Sequence, residues 1–215
     1  MTKTVLSLLA SAALLAACAT APTPKDMSAF KAAKPASLLV LPPLNETPDP
    51  DATNGVLAQV TLPLAESGYY VMPVSLVSET LRQNGMQTPH DMHQIAVPKL
   101  RDVFGADAVV YITVKQYGTK YMVLASDTVV AVEARVVDLR SGQELWSGKA
   151  SAASSEEGGN NQHGLVGLLV KALVEQVVNS ATDRSFPVAG RAVNRLVGHP
   201  QLGLPAGPRK PTPAS

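Results

Sequence analysis

Apolar residues in this chain come in short runs punctuated by proline and glycine, and the runs change period partway along. Ser37-Leu38-Leu39-Val40-Leu41 is unbroken and halted by Pro42-Pro43, which predicts a strand buried on both faces. The loop Asn45–Asn54 is polar and stiffened by prolines. Residues 56, 57, 60, 64 and 65 then recur at near-helical spacing, predicting a helix over Val56–Ser67 with a kink at Pro63 and a stop at Gly68. Tyr69–Met72 reads as a second short strand and Val74–Gln83 as a helix. Thr88 is placed to cap the next helix, with Pro89 in its first turn and Asp91 on its dipole. That helix is interrupted by Pro98, resumes through Phe104 and stops at Gly105. Ala108–Val114 is the clearest strand of the chain.

Beyond it the pattern becomes that of an antiparallel meander. Tyr121–Ala125 and Thr128–Asp138 are valine-rich strands, Leu139–Gln143 is a turn, and Glu144–Ala150 returns. Ser151–Gly164 is polar and rich in Gly and Asn, and is expected to be mobile. Leu165–Ala181 is expected to be helical, and a last helix begins at Asp183 or Ser185 and runs through Leu196. Five prolines in the final 18 residues predict an unfolded tail over 198–215. The order of elements is that of an α/β fold, a two-layer or three-layer sandwich of a mixed sheet with helices, over residues 37–197.

Composition narrows the class. Of 215 residues, 46% are hydrophobic and 16% charged, which excludes wholesale disorder. A net charge of +1 gives no global attraction to nucleic acid, and a single cysteine excludes an internal disulfide. That cysteine sits after Lys3, an apolar stretch over Val5–Leu15, and Ala16-Ala17, so residues 1–17 read as a signal peptide. The stretch is shorter than the ~20 residues of a membrane span. Leu15-Ala16-Ala17-Cys18 resembles a bacterial lipobox, in which the cysteine thiol takes the lipid; the competing reading is an ordinary signal peptide. Two or three acyl chains, palmitate among them, would anchor the mature chain at Cys18. Ala19, rather than Asp, implies sorting to the outer membrane. Residues 18–36 then form the lipidated N-terminus and a tether of at most ~60–65 Å, with a short helix near Asp26–Lys31.

Candidate chemistry is sparse. His90 and His93 are three apart on a predicted helix, spacing that suits either two metal ligands or a plain surface helix start. Glu133 and Arg135 share one strand face, solvated or lining a groove. No nucleophile elbow, phosphate-binding glycine loop or acid/base carboxylate pair is present, so no enzyme and no cofactor is expected. The broad apolar arc of 165–181, with Leu165, Leu168, Leu169 and Leu173, suits either intrachain packing or a homo-oligomer interface. After Asp183 the chain carries five basic residues and no acidic one, which fits a solvated tail or contact with an acidic partner.

Several stretches together resemble a family of bacterial lipoproteins of unknown function that includes a meningococcal vaccine-candidate lipoprotein. They are Pro35–Thr47, Gly68–Val71, Tyr111–Val114, Tyr117-Gly118-Thr119, Val137-Asp138 through Ser141-Gly142 to Glu144–Gly148, and Thr182-Asp183-Arg184. The resemblance covers roughly 18–197 and leaves out the proline-rich tail. More distantly, the strand–Asp–turn–Gly–x–Glu–x–Trp hairpin is similar to the lipoprotein CsgG and to the TolB N-terminal domain. These likenesses imply a TolB N-terminal/CsgG-like sandwich at the periplasmic face of the outer membrane, without catalytic residues. They also imply an accessory role in envelope assembly or secretion beside a CsgG-like lipoprotein. A regulator of a peptidoglycan synthase, as LpoB is on a related fold, and a periplasmic small-molecule-binding protein are the alternatives.

Overall fold

The computed structural model describes residues 26–121, 126–158 and 184–211. A mixed sheet organises them around one strand, β4 (Ala108–Gln116). On one side β4 pairs in parallel with β1 (Ser37–Val40) and the two-residue β2 (Leu44–Asn45). β3 (Tyr70–Val71) extends that half in parallel with β1. On its other side β4 pairs antiparallel with β6 (Ser126–Asp138), and β6 with β7 (Glu144–Ala153). β5 (Thr119–Tyr121) continues the line of β4 beyond a turn at Gly118, whose φ of 114° suits glycine, and pairs with β6.

Six helices complete the described fold: α1 (Ser28–Ala33), α2 (Ala52–Glu66), α3 (Val74–Gln83), α4 (Pro89–His93), α5 (Val97–Phe104) and α6 (Ser185–Gly198). The alternation of β4 assigns them to two layers. Val110, Ile112 and Val114 face Val56, Val60 and Leu64 of α2 and Val188, Ala192 and Val193 of α6. Val109 and Tyr111 face Val77 and Leu81 of α3, Met92 of α4 and Leu100 of α5. The parallel half therefore has helices on both faces. Among the described residues β6 and β7 carry α6 and α1 on one face, while on the other Val137 alone reaches under the second helical layer and Glu133, Arg135 and Lys149 are exposed. The fold is three layers at one end of the sheet and two at the other.

Local signals behave as their chemistry dictates. Thr88 and Asp91 form a reciprocal capping box with Pro89 in the first turn, and Gly105 takes a left-handed conformation to end α5. α2 begins at Ala52, earlier than the apolar spacing predicts. The preceding loop is held by Asn45, whose Oδ1 accepts from Thr47 N–H (2.8 Å) and whose Nδ2 donates to the carbonyl of Asp49 (2.7 Å). The strand expected over Tyr121–Ala125 is seen as Thr119–Tyr121, the rest lying outside the described residues.

Three expectations are corrected. Of the segment 151–164, residues 151–158 are built into the fold, the rest lying outside the described residues: β7 runs to Ala153, and a 3-10 turn at Ser154–Gly158 is held by Asp127, which accepts from Ser154 Oγ (2.8 Å) and Ser155 N–H (3.0 Å). The fold begins before residue 37, within the stretch expected to be tether, because α1 buries Phe30 in the core beneath the sheet. The chain after Gly198 does not fray. Residues 199–211 form a strap in which Leu204 is buried and Trp146 Nε1 donates to the carbonyls of Leu202 (3.2 Å) and Gly203 (3.1 Å). Tyr69 Oη donates to the Pro205 carbonyl, and Gly207 and Arg209 N–H donate to Ser67 and Gly68. The prolines that suggested disorder instead sit in a segment whose carbonyls serve distant side chains and whose N–H groups at Gly203, Leu204, Gly207 and Arg209 are all bonded.

Asp107, immediately before β4, ties the sheet's parallel start together. Its Oδ2 accepts from the N–H groups of Ala36 and Ser37 and from Ser37 Oγ, and its Oδ1 meets Arg140 at 2.8 Å. Partial burial pushes this carboxyl up, but the donors and Arg140 outweigh it and hold it below the ordinary aspartate value. Its stabilisation is thus present above the unfolded-state value and lost as pH falls through the lower folded one. Asp107→Ala should cost about 1–3 kcal/mol in denaturant unfolding and flatten the acid limb of the stability curve. Removing residues 199–215 should expose Trp146, the chain's only tryptophan. A red-shifted emission and a lower thermal midpoint are expected, and an unchanged spectrum would refute the strap.

Candidate functional site

Among the described residues no helix lies over the exposed face of the antiparallel half, which forms a groove of about 540 Å³. Its floor follows from strand register. Arg135 lies between Tyr111 on β4 and Ser147 on β7, and Glu133 lies between Thr113 and Lys149. Glu144 stands at one rim, and Leu44, His93 and Leu202 of the strap close the sides. Apolar residues point the other way along each strand, which is why a valine-rich sequence leaves a polar surface here.

Aromatic and cationic groups interlock in one corner. The Arg135 guanidinium lies over the Tyr111 ring, 4.1 Å from its centroid, and His93 meets the same ring edge-on at 5.2 Å. His93 Nε2 is 2.9 Å from the carbonyl of Pro42, so this nitrogen carries the proton and Nδ1 is left as an acceptor. Burial holds the His93 imidazole below its ordinary value, and the nearby Arg135 charge adds to this against the opposing bond to Pro42. Burial also pushes the Tyr111 phenol up, so it stays protonated at neutral pH. Arg135, Glu133, Lys149 and Glu144 make no hydrogen bond or ion pair with one another or with other described residues. The arrangement is one for recognising charged groups, with a preset guanidinium at its centre.

The two histidines expected on one helix face are separated. His93 enters the groove, whereas His90 stays outside, its ring 2.6 Å from Gln94 Nε2. Among the described residues no three His, Cys, Asp or Glu side chains gather where a metal could sit. Glu133 and Arg135 share a face as their spacing predicts, and that face is the groove floor rather than an open plane. Cys18, and Leu165, Leu168, Leu169 and Leu173 with the helix expected around them, lie outside the described residues. The C-terminal basic excess is partly taken up internally. Arg191 and Arg195 donate to the carbonyls of Ala153 and Ser151 on the edge of β7, and Arg195 pairs with Glu156 at 2.7 Å. Tyr111, Ser147, Lys149 and Glu144 went unrecognised in the sequence. The signal was the alternation of Glu144–Ala150 set against that of Thr128–Asp138.

Because His93 resists protonation, the folded state loses stability as pH falls from the unfolded imidazole value through the lower folded one. Proton NMR of the imidazole should place its midpoint below about 6.5, and Arg135→Ala should raise it. A midpoint unmoved by Arg135→Ala would show that the two groups do not sense each other.

Comparison with known proteins gives consistent matches. The family model described as "Putative lipoprotein GNA1162-like" matches residues 25–209. That span includes the strap, which the resemblance read from the sequence left out. The chain is 49% identical over 204 residues to "Putative lipoprotein NMB1124/NMB1162" of Neisseria meningitidis serogroup B (strain ATCC BAA-335 / MC58), covering 94% of each. The crystal structure of lipoprotein GNA1162 from Neisseria meningitidis is 52% identical, with a TM-score of 0.54 over 67% of this chain and 99% of that one. A PelC dodecamer from Paraburkholderia phytofirmans gives a TM-score of 0.43 at 16% identity, over 76% of this chain and 87% of that one.

Proposed function

We propose, for a chain that belongs to the GNA1162-like lipoprotein family, a role in envelope assembly or secretion played close to the membrane and by contact rather than by catalysis. Acyl chains on Cys18 hold it at the periplasmic face of the outer membrane. It acts there beside a CsgG-like lipoprotein or with further copies of itself, and the apolar sequence at Leu165, Leu168, Leu169 and Leu173 is the stretch best suited to self-contact.

The observation that supports this reading is where the described fold begins. The fold already includes α1, with Phe30 in the core, so nine peptide steps separate Cys18 from Met27. Fully extended they span at most ~30–32 Å, half of what a tether reaching residue 36 would allow. That reach suits a partner at the same membrane. It does not suit a regulator that must cross to a peptidoglycan synthase.

Cys18→Ala should move the protein from the membrane fraction to the soluble periplasmic one; unchanged partitioning would sink the lipoprotein reading. Crosslinking in intact cells, followed by identification of the captured chain, should return an outer-membrane protein or a second copy. An inner-membrane synthase would favour the longer-reaching role instead.

A further inference from the structure

The four charged side chains around the groove floor raise a question of their own, independent of the membrane role. Two are positive and two negative. Arg135 is flanked along its own strand by Glu133, ~7 Å away by strand rise, and on the neighbouring strand β7 by Glu144, which stands across from Val137. Lys149 stands across from Glu133. Adjacent opposite charges on exposed side chains ordinarily find each other, yet among the described residues none of these closes an ion pair, and Glu133 only feels the charge of Lys115 on β4. For Arg135 the cause is its stacking: the guanidinium is laid over Tyr111, which His93 meets edge-on while bonded to the Pro42 carbonyl. The stack holds the planar fork in place without using its N–H donors, which leaves them for a carboxylate.

A dianion would match Arg135 and Lys149 but would be repelled by the two flanking glutamates. A cation would meet the reverse problem. A ligand with one charge of each sign satisfies both. We propose that this groove binds a small zwitterion, an amino acid or short peptide, with its carboxylate on Arg135 and its ammonium on Glu133 or Glu144. Thr113 adds a hydroxyl to the floor, Leu44 and Leu202 give apolar walls, and about 540 Å³ accommodates one to a few residues.

Calorimetric titration of the full-length protein in non-ionic detergent tests this with alanine, dialanine and trialanine. Saturable binding is expected. Acetylating the amine or amidating the carboxylate of the tightest binder should each weaken it at least about tenfold. Tighter binding of alanine would identify free amino acids as the source, and tighter binding of the longer probes would identify peptide ends. Arg135→Lys keeps the charge but not the fork and should also lose about tenfold. The double change Glu133→Gln, Glu144→Gln should weaken the uncapped probe and leave the acetylated one unaffected. All three side chains are exposed, so the variants should keep the parent's thermal midpoint, which is checked alongside. The proposal is overturned if capped and uncapped probes bind alike, if Arg135→Lys binds unchanged, or if none of the three probes binds.

Discussion

Strand β4 has to satisfy two kinds of neighbour at once, and most of the molecule follows from how it does so. Its left edge accepts parallel partners, whose crossovers bring helices onto both faces. Its right edge accepts an antiparallel hairpin, which needs no crossover and so brings none. The residues of one β4 face record the change in order: Val109 is buried under helices, Tyr111 is buried at their margin, and Thr113 is half-exposed beyond them. The groove is the place where the third layer runs out.

That geometry explains why the groove is polar and still ordered. An uncovered sheet face beside a helical layer would expose apolar surface if the strands were buried on both sides along their full length. Here β6 switches from Val137 beneath the helices to Arg135 and Glu133 beyond them, a change that needs no break in the strand. Tyr111 makes the join. Its ring is buried enough to belong to the core and presents a face on which Arg135 can lie. The far edge of β7 is managed differently: α6 supplies Arg191 and Arg195 to carbonyls that would otherwise invite another strand.

Much of this was legible in local sequence, because local rules governed it. The alternation of Ala108–Val114, the capping box at Thr88, the stop at Gly105 and the Leu139–Gln143 turn each depend on residues within a few positions of one another. What was missed depends on contacts across the chain. The tail reads as unfolded because nothing near it in sequence uses its backbone; the carbonyls of Leu202 and Pro205 are used by Trp146 and Tyr69, 56 and 136 positions away. Glu133 and Arg135 were visible as a pair on one face. Only the register of β6 with β4 and β7 shows that Tyr111, Lys149 and Ser147 stand beside them. The early start of the fold was hidden for the same reason, since nothing near Phe30 in sequence says that it reaches the core.

The strap and α1 also place the groove relative to the anchor. Glu144 lines the groove and, on its other side, a cleft shared with Asp26 and Met27, the residues from which the chain departs toward Cys18. Leu202 lines the groove through the strap, which itself borders Met27. The charged face is thus next to the point of attachment rather than at the far end of the domain. With a lipid at Cys18, Met27 would stand at most ~30–32 Å of chain from it, and the groove, one cleft further on, would open on the side of the domain nearer the membrane. A soluble zwitterion of a few residues reaches a groove so placed easily. A large globular partner reaches it only if it too is held at the membrane, so anchoring and groove select for the same neighbourhood by separate means.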